Sequence, residues 1–308
     1  MSKQAWVFPG QGSQTLGMLN ELAAEYKSFQ NTFDTASNAL GYDLWNVTQN
    51  DEEKLNQTHI TQPALLAASF GIYNVLIEKG VPQPAYMAGH SLGEYSALVC
   101  AGVIDFTDAI KLVEARGKYM QQAVPAGVGA MYAIIGLGDE KVISSCHQAQ
   151  SETKEVVAAV NFNSPGQIVI AGNKQAAEVA AELCKEQGAK RALPLSVSVP
   201  SHCALMQPAA DQLANLLLNV TFNAPKVTVI NNVDVATPSD PDAIKKALIE
   251  QLYSPVRWTE TVTKLADLEV TALLEIGPSK VLTGLTRRID KRLSCTAINT
   301  LESIHSLV

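Results

Sequence analysis

The chain has 308 residues, of which 47% are hydrophobic and 17% charged, and its formal net charge is −7. These values describe a globular protein with a sizeable core, and the negative charge argues against a general nucleic-acid binder. Five scattered cysteines suggest neither a disulfide framework nor a zinc site. We expect a cytoplasmic protein that does not enter a membrane, because no apolar run approaches the roughly 18 residues of a membrane span.

Strands and helices alternate along most of the chain, which is typical of α/β proteins. Residues 5–8 are predicted to form a buried strand, and the loop 9–14 that follows contains Gln11. Loops in this position bind ligands in α/β proteins, although a plain turn remains an alternative. Farther on, Thr61 is predicted to cap a helix that has Pro63 in its first turn and ends at Gly80.

A G-x-S-x-G sequence, Gly89-His90-Ser91-Leu92-Gly93, lies between an apolar strand over residues 85–88 and a helix over residues 94–101. This arrangement is typical of a nucleophile elbow, a sharp strand-to-helix turn that exposes a serine hydroxyl. Glycine suits its flanks because only glycine lacks a Cβ that would clash with nearby backbone. Ser91 is therefore the candidate nucleophile, and a chance match in a glycine-rich loop is the alternative. His90 is expected to point to the opposite side of the turn.

Arg116 lies in the middle of a long helix predicted over residues 106–123. Its ordinary interpretation is a solvated charge on a helix. The functional interpretation is a clamp for a carboxylate, since a guanidinium can bind a carboxylate through two parallel hydrogen bonds. The local sequence leaves both open.

A second pattern, β-α-β-β-α-β, occupies residues 130–194 and is that of a ferredoxin-like domain. We predict a small domain over residues 125–198, inserted into a larger α/β domain formed by residues 1–124 and 199–308. His202 follows the insertion directly. A serine that precedes a histidine in the chain is the order found in α/β hydrolases, which makes His202 the candidate general base.

The remaining residues continue the large domain. Predicted elements are strands at 226–230 and 272–276 and helices at 206–218, 241–253, 256–267 and 281–292. The last helix is predicted to carry four basic residues on one broad face, namely Arg287, Arg288, Lys291 and Arg292. The tail from Thr300 is expected to be weakly ordered or peripheral.

Taken together, these features resemble the malonyl-CoA:acyl carrier protein transacylase family over essentially the whole chain to about residue 299. The resemblance includes less generic stretches, at residues 62–65, 161–167 and 275–278. It implies an α/β hydrolase-like core with an inserted ferredoxin-like domain. It also implies a monomer that moves a malonyl group from malonyl-CoA to the phosphopantetheine thiol of acyl carrier protein, without metal or cofactor.

The resemblance also assigns roles to individual residues. It implies that Ser91 is the nucleophile, His202 the base and Arg116 the partner of the malonyl carboxylate. Gln11 and the Leu92 backbone N–H are implied to form the oxyanion hole, and the main-chain carbonyl of Gln251 to hold the histidine. Two cleft-lining asparagines complete the set, Asn161 and Asn163.

Two alternatives stay open at this stage. A serine esterase or thioesterase would share the elbow but needs an acidic third residue, for which the candidates are Asp105, Asp108 and Asp139. A non-catalytic module that docks carrier protein is the second alternative, and the presence of both Ser91 and His202 argues against it. Carrier proteins of this pathway are acidic, so we predict a local basic surface formed by the four residues of the 281–292 helix, with Lys190 and Arg191 opposite.

Overall fold

A five-stranded parallel sheet forms the centre of the protein, and a separate four-stranded antiparallel sheet lies beside it. The computed structural model describes residues 3–196 and 199–308. In chain order the strands are β1 (Lys3–Phe8), β2 (Tyr86–Gly89), β3 (Gly129–Ile135), β4 (Val157–Ser164), β5 (Gln167–Asn173), β6 (Arg191–Pro194), β7 (Thr228–Ile230), β8 (Val270–Ile276) and β9 (Ser294–Ile298). The parallel sheet has the order β7-β2-β1-β8-β9.

Helices cover both faces of the parallel sheet and one face of the antiparallel sheet. In chain order they are α1 (Asn20–Glu25), α2 (Lys27–Leu40), α3 (Leu44–Asn50), α4 (Glu52–Leu55), α5 (Thr58–Glu78), α6 (Leu92–Cys100), α7 (Phe106–Ala123), α8 (Asp139–Thr153), α9 (Lys174–Glu186), α10 (Gln207–Leu217), α11 (Pro241–Gln251), α12 (Trp258–Asp267), α13 (Val281–Ile289) and α14 (Leu301–His305). A single turn of 3₁₀-helix, Ala204–Met206, precedes α10.

Strand β1 shows why the parallel sheet is a core element. Its side chains alternate between two hydrophobic clusters, with Trp6 and Phe8 in one and Ala5 and Val7 in the other. Because successive side chains point to opposite faces, a strand covered on both sides needs an uninterrupted apolar run. The run predicted at residues 5–8 meets this requirement.

Helix α5 is a long apolar helix that lies inside the larger core. By length and composition it could cross a membrane, with a mean hydropathy of 1.4, but 78% of that window is buried in the protein. The expectation that no apolar run approaches such a length was therefore wrong. A buried core helix passes the same test, because its whole circumference faces other residues.

The antiparallel sheet has the strand order β4-β5-β3-β6, with α8 and α9 packed against it around Ile134, Ile168 and Ile170. This order and the β-α-β-β-α-β sequence of elements are those of a ferredoxin-like domain. The predicted fold class, a hydrolase-like parallel-sheet core with this inserted domain, is confirmed. The exact boundaries at residues 124/125 and 198/199 stay a prediction, and Ser198 lies outside the described residues.

Backbone hydrogen bonds join the small domain to the large one along one side. The Phe162 N–H donates to the Val256 carbonyl at 3.0 Å, and the Val256 N–H donates to the Val160 carbonyl at 2.8 Å. The Thr259 hydroxyl adds a third bond, to the Phe162 carbonyl. Strand β4 is thereby fixed against the segment before α12, so the wall of the cleft that β4 forms has a defined position.

Several predicted boundaries were wrong, and helix α5 is the clearest case. It begins at Thr58 with Gln57 as its N-cap, so Thr61 is inside the helix and Pro63 lies in its second turn. The Thr61 hydroxyl lies 2.5 Å from the Leu55 carbonyl oxygen and 3.1 Å from that of Gln57, so it donates to preceding carbonyls, whereas an N-cap side chain accepts from backbone N–H groups that follow it. A cap-like Thr followed by Pro is also compatible with a position one turn into a helix.

The C-terminal region also differs from its prediction. Helix α13 ends at Ile289 rather than at residue 292, because Asp290 is already extended. Strand β9 and helix α14 were not predicted. A capping box at Thr300 begins α14, and Ile304 is fully buried. The expectation of a weakly ordered tail was therefore wrong, whereas residues 301–308 other than Ile304 are exposed or half-buried, as expected for a peripheral segment.

Candidate active site

The turn between β2 and α6 has the geometry of a nucleophile elbow. Ser91 has φ 51° and ψ −109°, which is a strained conformation for a residue with a side chain. A Cβ on Gly89 would overlap the Gly93 carbonyl, and a Cβ on Gly93 would overlap the Phe8 carbonyl. Both flanking glycines are thus required by close backbone approach, and Ser91 lies at the N-terminus of α6.

The Ser91 hydroxyl oxygen lies 2.8 Å from Nε2 of His202. The other ring nitrogen, Nδ1, lies 2.7 Å from the main-chain oxygen of Gln251. A carbonyl oxygen only accepts, so Nδ1 carries the proton and Nε2 of the neutral ring is free to accept the serine proton. Burial, followed by the nearby positive charge of Arg116, lowers the pKa of His202 to about 3, which keeps the imidazole neutral.

The acidic residues considered for a hydrolase triad lie elsewhere. The Asp105 side chain is exposed and accepts hydrogen bonds from the backbone of Thr107 and Asp108 at the start of α7. Asp139 is in the first turn of α8 in the small domain. The atom that orients His202 is therefore a neutral main-chain oxygen, and the geometry does not support a serine–histidine–carboxylate triad.

Arg116 is 1% exposed, so its interpretation as a solvated helix charge is wrong. Its Nη1 donates to the side-chain oxygen of Gln62 at 2.8 Å, and its Nη2 donates to that of Gln251 at 2.9 Å. Nη2 also lies 3.4 Å from the Ser91 hydroxyl. The guanidinium is thus held by two neutral amide groups directly beside the Ser91 hydroxyl. A buried cation with neutral partners is well suited to receive an anionic ligand.

A cavity of about 110 Å³ is lined by Ser91, His202 and Arg116, together with Gln11 and Leu92. The backbone N–H groups of Gln11 and Leu92 have no acceptor among residues 3–196 and 199–308. Leu92 is the first residue of α6, where N–H groups have no partner within the helix. Gln11 and Leu92 therefore line the same small cavity as Ser91 and carry backbone N–H groups without a partner among the described residues, as the predicted oxyanion hole requires.

A second cavity, of about 520 Å³, adjoins the first and shares with it Gln11, His90, Asn161 and Leu195. It lies between the two sheets, and α13 contributes part of its wall. A cavity of about 710 Å³ near α2 and the start of α7 is larger, but its lining includes neither Ser91 nor His202. The position of the Ser91–His202 pair, and not volume, selects the first two cavities as the candidate site.

The two predicted asparagines lie in the cleft, on strand β4. Asn161 lines both the 110 Å³ and the 520 Å³ cavity, and its side-chain oxygen has no partner among the described residues. Asn163 lines the 520 Å³ cavity. His90 also lines both, and its Nε2 lies 2.7 Å from the Asn163 side-chain oxygen. The expectation that His90 points away from the site was wrong, since it bridges the elbow to the small domain.

Three buried polar residues at the site were missed by the sequence reasoning, Gln62, Glu94 and Asn232. Oε2 of Glu94 accepts from the Gln251 side chain at 2.8 Å and from the Asn232 backbone at 3.0 Å. Burial raises the pKa of Glu94 to about 7, while these hydrogen bonds oppose the rise. The signal for Glu94 was its place directly after G-x-S-x-G. Asn232 follows β7, and only the strand order brings that strand beside β2.

The predicted basic surface is smaller than expected. Lys291 and Arg292 lie beyond the end of α13, so the four cations do not share a helix face. Arg292 forms ion pairs with Asp267 and Asp290. Arg288 donates to the Gln167 side chain at 2.7 Å, and Gln167 lines the 520 Å³ cavity. We call exposed Arg287 and Arg288, at the C-terminal end of the helix that forms part of that cavity's wall, the basic rim.

A serine–histidine pair at a nucleophile elbow, with free N–H donors beside it, defines an acyl-transferring enzyme class. Over residues 5–301 the chain matches the acyl transferase domain family. It is 63% identical over 310 residues to the malonyl CoA-acyl carrier protein transacylase of Haemophilus influenzae, covering 100% of this chain and 98% of the relative. The chain belongs to the malonyl CoA-acyl carrier protein transacylase family, as the sequence features indicated.

Solved structures agree with this placement. A crystal structure of an acyl carrier protein S-malonyltransferase from Vibrio cholerae has a TM-score of 0.97 and 62% identity, covering 100% of both chains. A malonyl-transacylase in complex with its type II PKS acyl-carrier protein has a TM-score of 0.98 and 58% identity, covering 99% of both chains. The similarity therefore includes both domains and the cleft between them.

Proposed function

We propose that the protein transfers a malonyl group from malonyl-CoA to the phosphopantetheine thiol of acyl carrier protein, in fatty acid synthesis. The observation that carries this proposal is the placement of buried Arg116 in the same 110 Å³ cavity as the Ser91–His202 pair. A plain esterase has no use for a buried cation there. An acyl group that ends in a carboxylate does.

The first half-reaction forms a malonyl-serine ester. The Ser91 oxygen attacks the thioester carbonyl carbon while Nε2 of His202 takes the hydroxyl proton. The carbonyl oxygen becomes an oxyanion, for which the N–H groups of Gln11 and Leu92 are the proposed donors, each contributing about 3–4 kcal/mol. The C–S bond then breaks, and His202 returns the proton to the CoA sulfur.

The second half-reaction reverses these roles. After CoA leaves, the thiol of the carrier's pantetheine arm enters and gives its proton to His202. The sulfur attacks the ester carbonyl, the ester C–O bond breaks, and Ser91 recovers its proton. The 520 Å³ cavity that adjoins the site is the proposed channel for the pantetheine arm in both halves. One channel used in turn by CoA and carrier implies a ping-pong order.

The polar environment of Arg116 supports selection of a carboxylated acyl group. Gln62 and Gln251 hold the guanidinium without neutralising it, and no carboxylate oxygen contacts it in the part of the chain that the structure describes. A malonyl carboxylate would supply the missing negative charge. An acetyl group would leave the cation unpaired.

We also propose that the protein acts as a cytoplasmic monomer.

The test is the mass of the intact protein after exposure to malonyl-CoA and, separately, to acetyl-CoA. We expect one malonyl group on the native protein, none on Ser91→Ala, and much less acetyl than malonyl. Addition of acyl carrier protein should then move the malonyl group to the carrier. Release of free malonate in place of transfer would support the esterase alternative and contradict the proposal.

A further inference from the structure

Asn232 is fully buried beside the elbow and bonds both sides of it. Its Oδ1 accepts from the Ser91 backbone N–H at 2.7 Å, and its Nδ2 donates to the Gly89 carbonyl at 2.7 Å. These partners fix the amide orientation, because an N–H only donates and a carbonyl oxygen only accepts. One side chain thus spans the last residue of β2 and the nucleophile.

The Ser91 N–H needs such a partner because of its position in the chain. Ser91 lies between the parallel sheet and the first residue of α6, in a strained conformation that neither element supports. A buried N–H without an acceptor would oppose this conformation. The bond to Asn232 satisfies it and also occupies the donor, which leaves the Leu92 N–H as the free donor of the elbow.

Glu94 fixes Asn232 in turn. The Asn232 backbone N–H donates to Oε2 of Glu94, a side chain of the same helix whose N-terminus carries the nucleophile. The same oxygen accepts from Gln251, whose side-chain nitrogen also donates to the Ser91 carbonyl at 3.1 Å. The backbone N–H and carbonyl of Ser91 are therefore held by two side chains that share one carboxylate.

We propose that Asn232 is a positioning residue for the nucleophile, which holds the Ser91 hydroxyl toward His202 and aims the Leu92 N–H at the reacting carbonyl. This inference rests on the proposed function, because it concerns the rate at which Ser91 becomes acylated. Asn232 does not line the cavity that contains Arg116 and Gln11. It acts through the backbone of the elbow and not through contact with substrate.

The experiment measures malonyl-enzyme formation in a single turnover over a range of malonyl-CoA concentrations. Asn232→Ala should lower the saturating rate by about 10²-fold, the typical effect of a small misplacement of reacting groups. The concentration of half-saturation should change little, because the cavity and Arg116 are intact. Asn232→Asp keeps the acceptor for Ser91 but loses the donor to Gly89, and should also be slow.

Asn231→Ala is the matched control. Asn231 is buried in the same segment, and among residues 3–196 and 199–308 its side chain accepts only from the backbone of Asp234 and Ala236. We expect this variant to acylate at nearly the native rate even if its melting temperature falls. Equal slowing of the Asn231 and Asn232 variants would show a general structural role and overturn the inference. If Asn232→Ala does not fold, a native rate for Asn232→Asp would overturn it equally.

Native protein that fails to take up a malonyl group at all would contradict the proposed function instead. The two failures are therefore distinguishable, since the first compares variants and the second concerns the native chain.

Discussion

The catalytic centre and the basic rim contain similar polar groups under opposite physical conditions. At the centre, Arg116, His202 and Glu94 are almost fully buried, and each makes at least one hydrogen bond of 3.0 Å or less. At the rim, Arg287 and Arg288 are exposed. Charges interact strongly in a buried, low-dielectric site and weakly across water and salt. Loss of a single hydrogen-bonding atom at the centre should therefore change the reaction strongly. At the rim, only the summed charge should affect binding of the carrier.

Removal of His202, the proposed base, should have the largest effect. His202→Ala is expected to slow malonyl-enzyme formation by about 10²- to 10⁴-fold, the range for loss of a general base. The fold should persist, so the melting temperature should stay close to the native value. The check is single-turnover acylation followed by intact mass. A rate within a few-fold of native would remove His202 from the base role, with His90 as the next candidate.

Substitution of Arg116 should change selectivity more than it changes the chemistry. Arg116→Ala is expected to lose malonyl transfer while its acetyl transfer falls less or rises, because only malonyl carries the carboxylate. Arg116→Lys should restore this preference only in part, since an ammonium does not match a carboxylate in two-pronged geometry. Competition between malonyl-CoA and acetyl-CoA measures the ratio directly. An unchanged ratio in Arg116→Ala would show that the residue has a structural role.

Glu94 predicts a pH dependence of stability that separates the buried centre from exposed groups. Its pKa is about 7 in the folded protein and 4.5 ordinarily. Its contribution to the free energy of unfolding is therefore fully present below pH 4.5 and is lost as the pH rises through 7. Relative to native protein, Glu94→Gln should therefore gain up to about 3 kcal/mol in free energy of unfolding between pH 4.5 and pH 8. Chemical denaturation at both pH values measures this difference.

Glu260→Gln provides the contrast. Arg257 holds the pKa of the partly exposed Glu260 below its ordinary value, so that group's contribution is present at neutral pH and lost in acid. The two variants should shift in opposite directions, with the Glu260 effect much the smaller because the pair is exposed. A pH-independent difference between Glu94→Gln and native protein would mean that the folded pKa of Glu94 is ordinary.

The sequence predicted what depends on neighbours in the chain. The elbow required only a strand, G-x-S-x-G and a helix in succession, and the small domain required only the order of its elements. What remained hidden depends on strand order. Nothing local connects Asn232 to Ser91, which lies 141 positions away, and their hydrogen bond exists because β7 pairs with β2.

The basic rim shows how a local pattern can also mislead. The spacing of four residues predicted four cations on one helix face, but that prediction assumed that α13 continues to residue 292. Asp290 ends the helix and, with Asp267, binds Arg292, so two of the four cations left the predicted face. A count of basic residues in sequence thus overstates a charged surface when the helix ends early or when acidic residues pair with the cations.

The smallest expected effect is at this basic rim, and it concerns the carrier half-reaction alone. An acidic carrier approaching a chain of net charge −7 needs a local positive surface, which mainly raises the association rate. Replacement of Arg287 and Arg288 by Glu should raise the apparent KM for carrier protein by about tenfold at low salt and flatten its salt dependence. Acylation by malonyl-CoA should change much less.

Lys245→Glu combined with Lys246→Glu is the matched control. It makes the same change in net charge on α11, where both residues border a different cavity, and should leave the carrier KM nearly native. Equal loss in both half-reactions would assign the rim to CoA or to the fold, and equal effects of the two double variants would mean that overall charge, and not the rim, attracts the carrier.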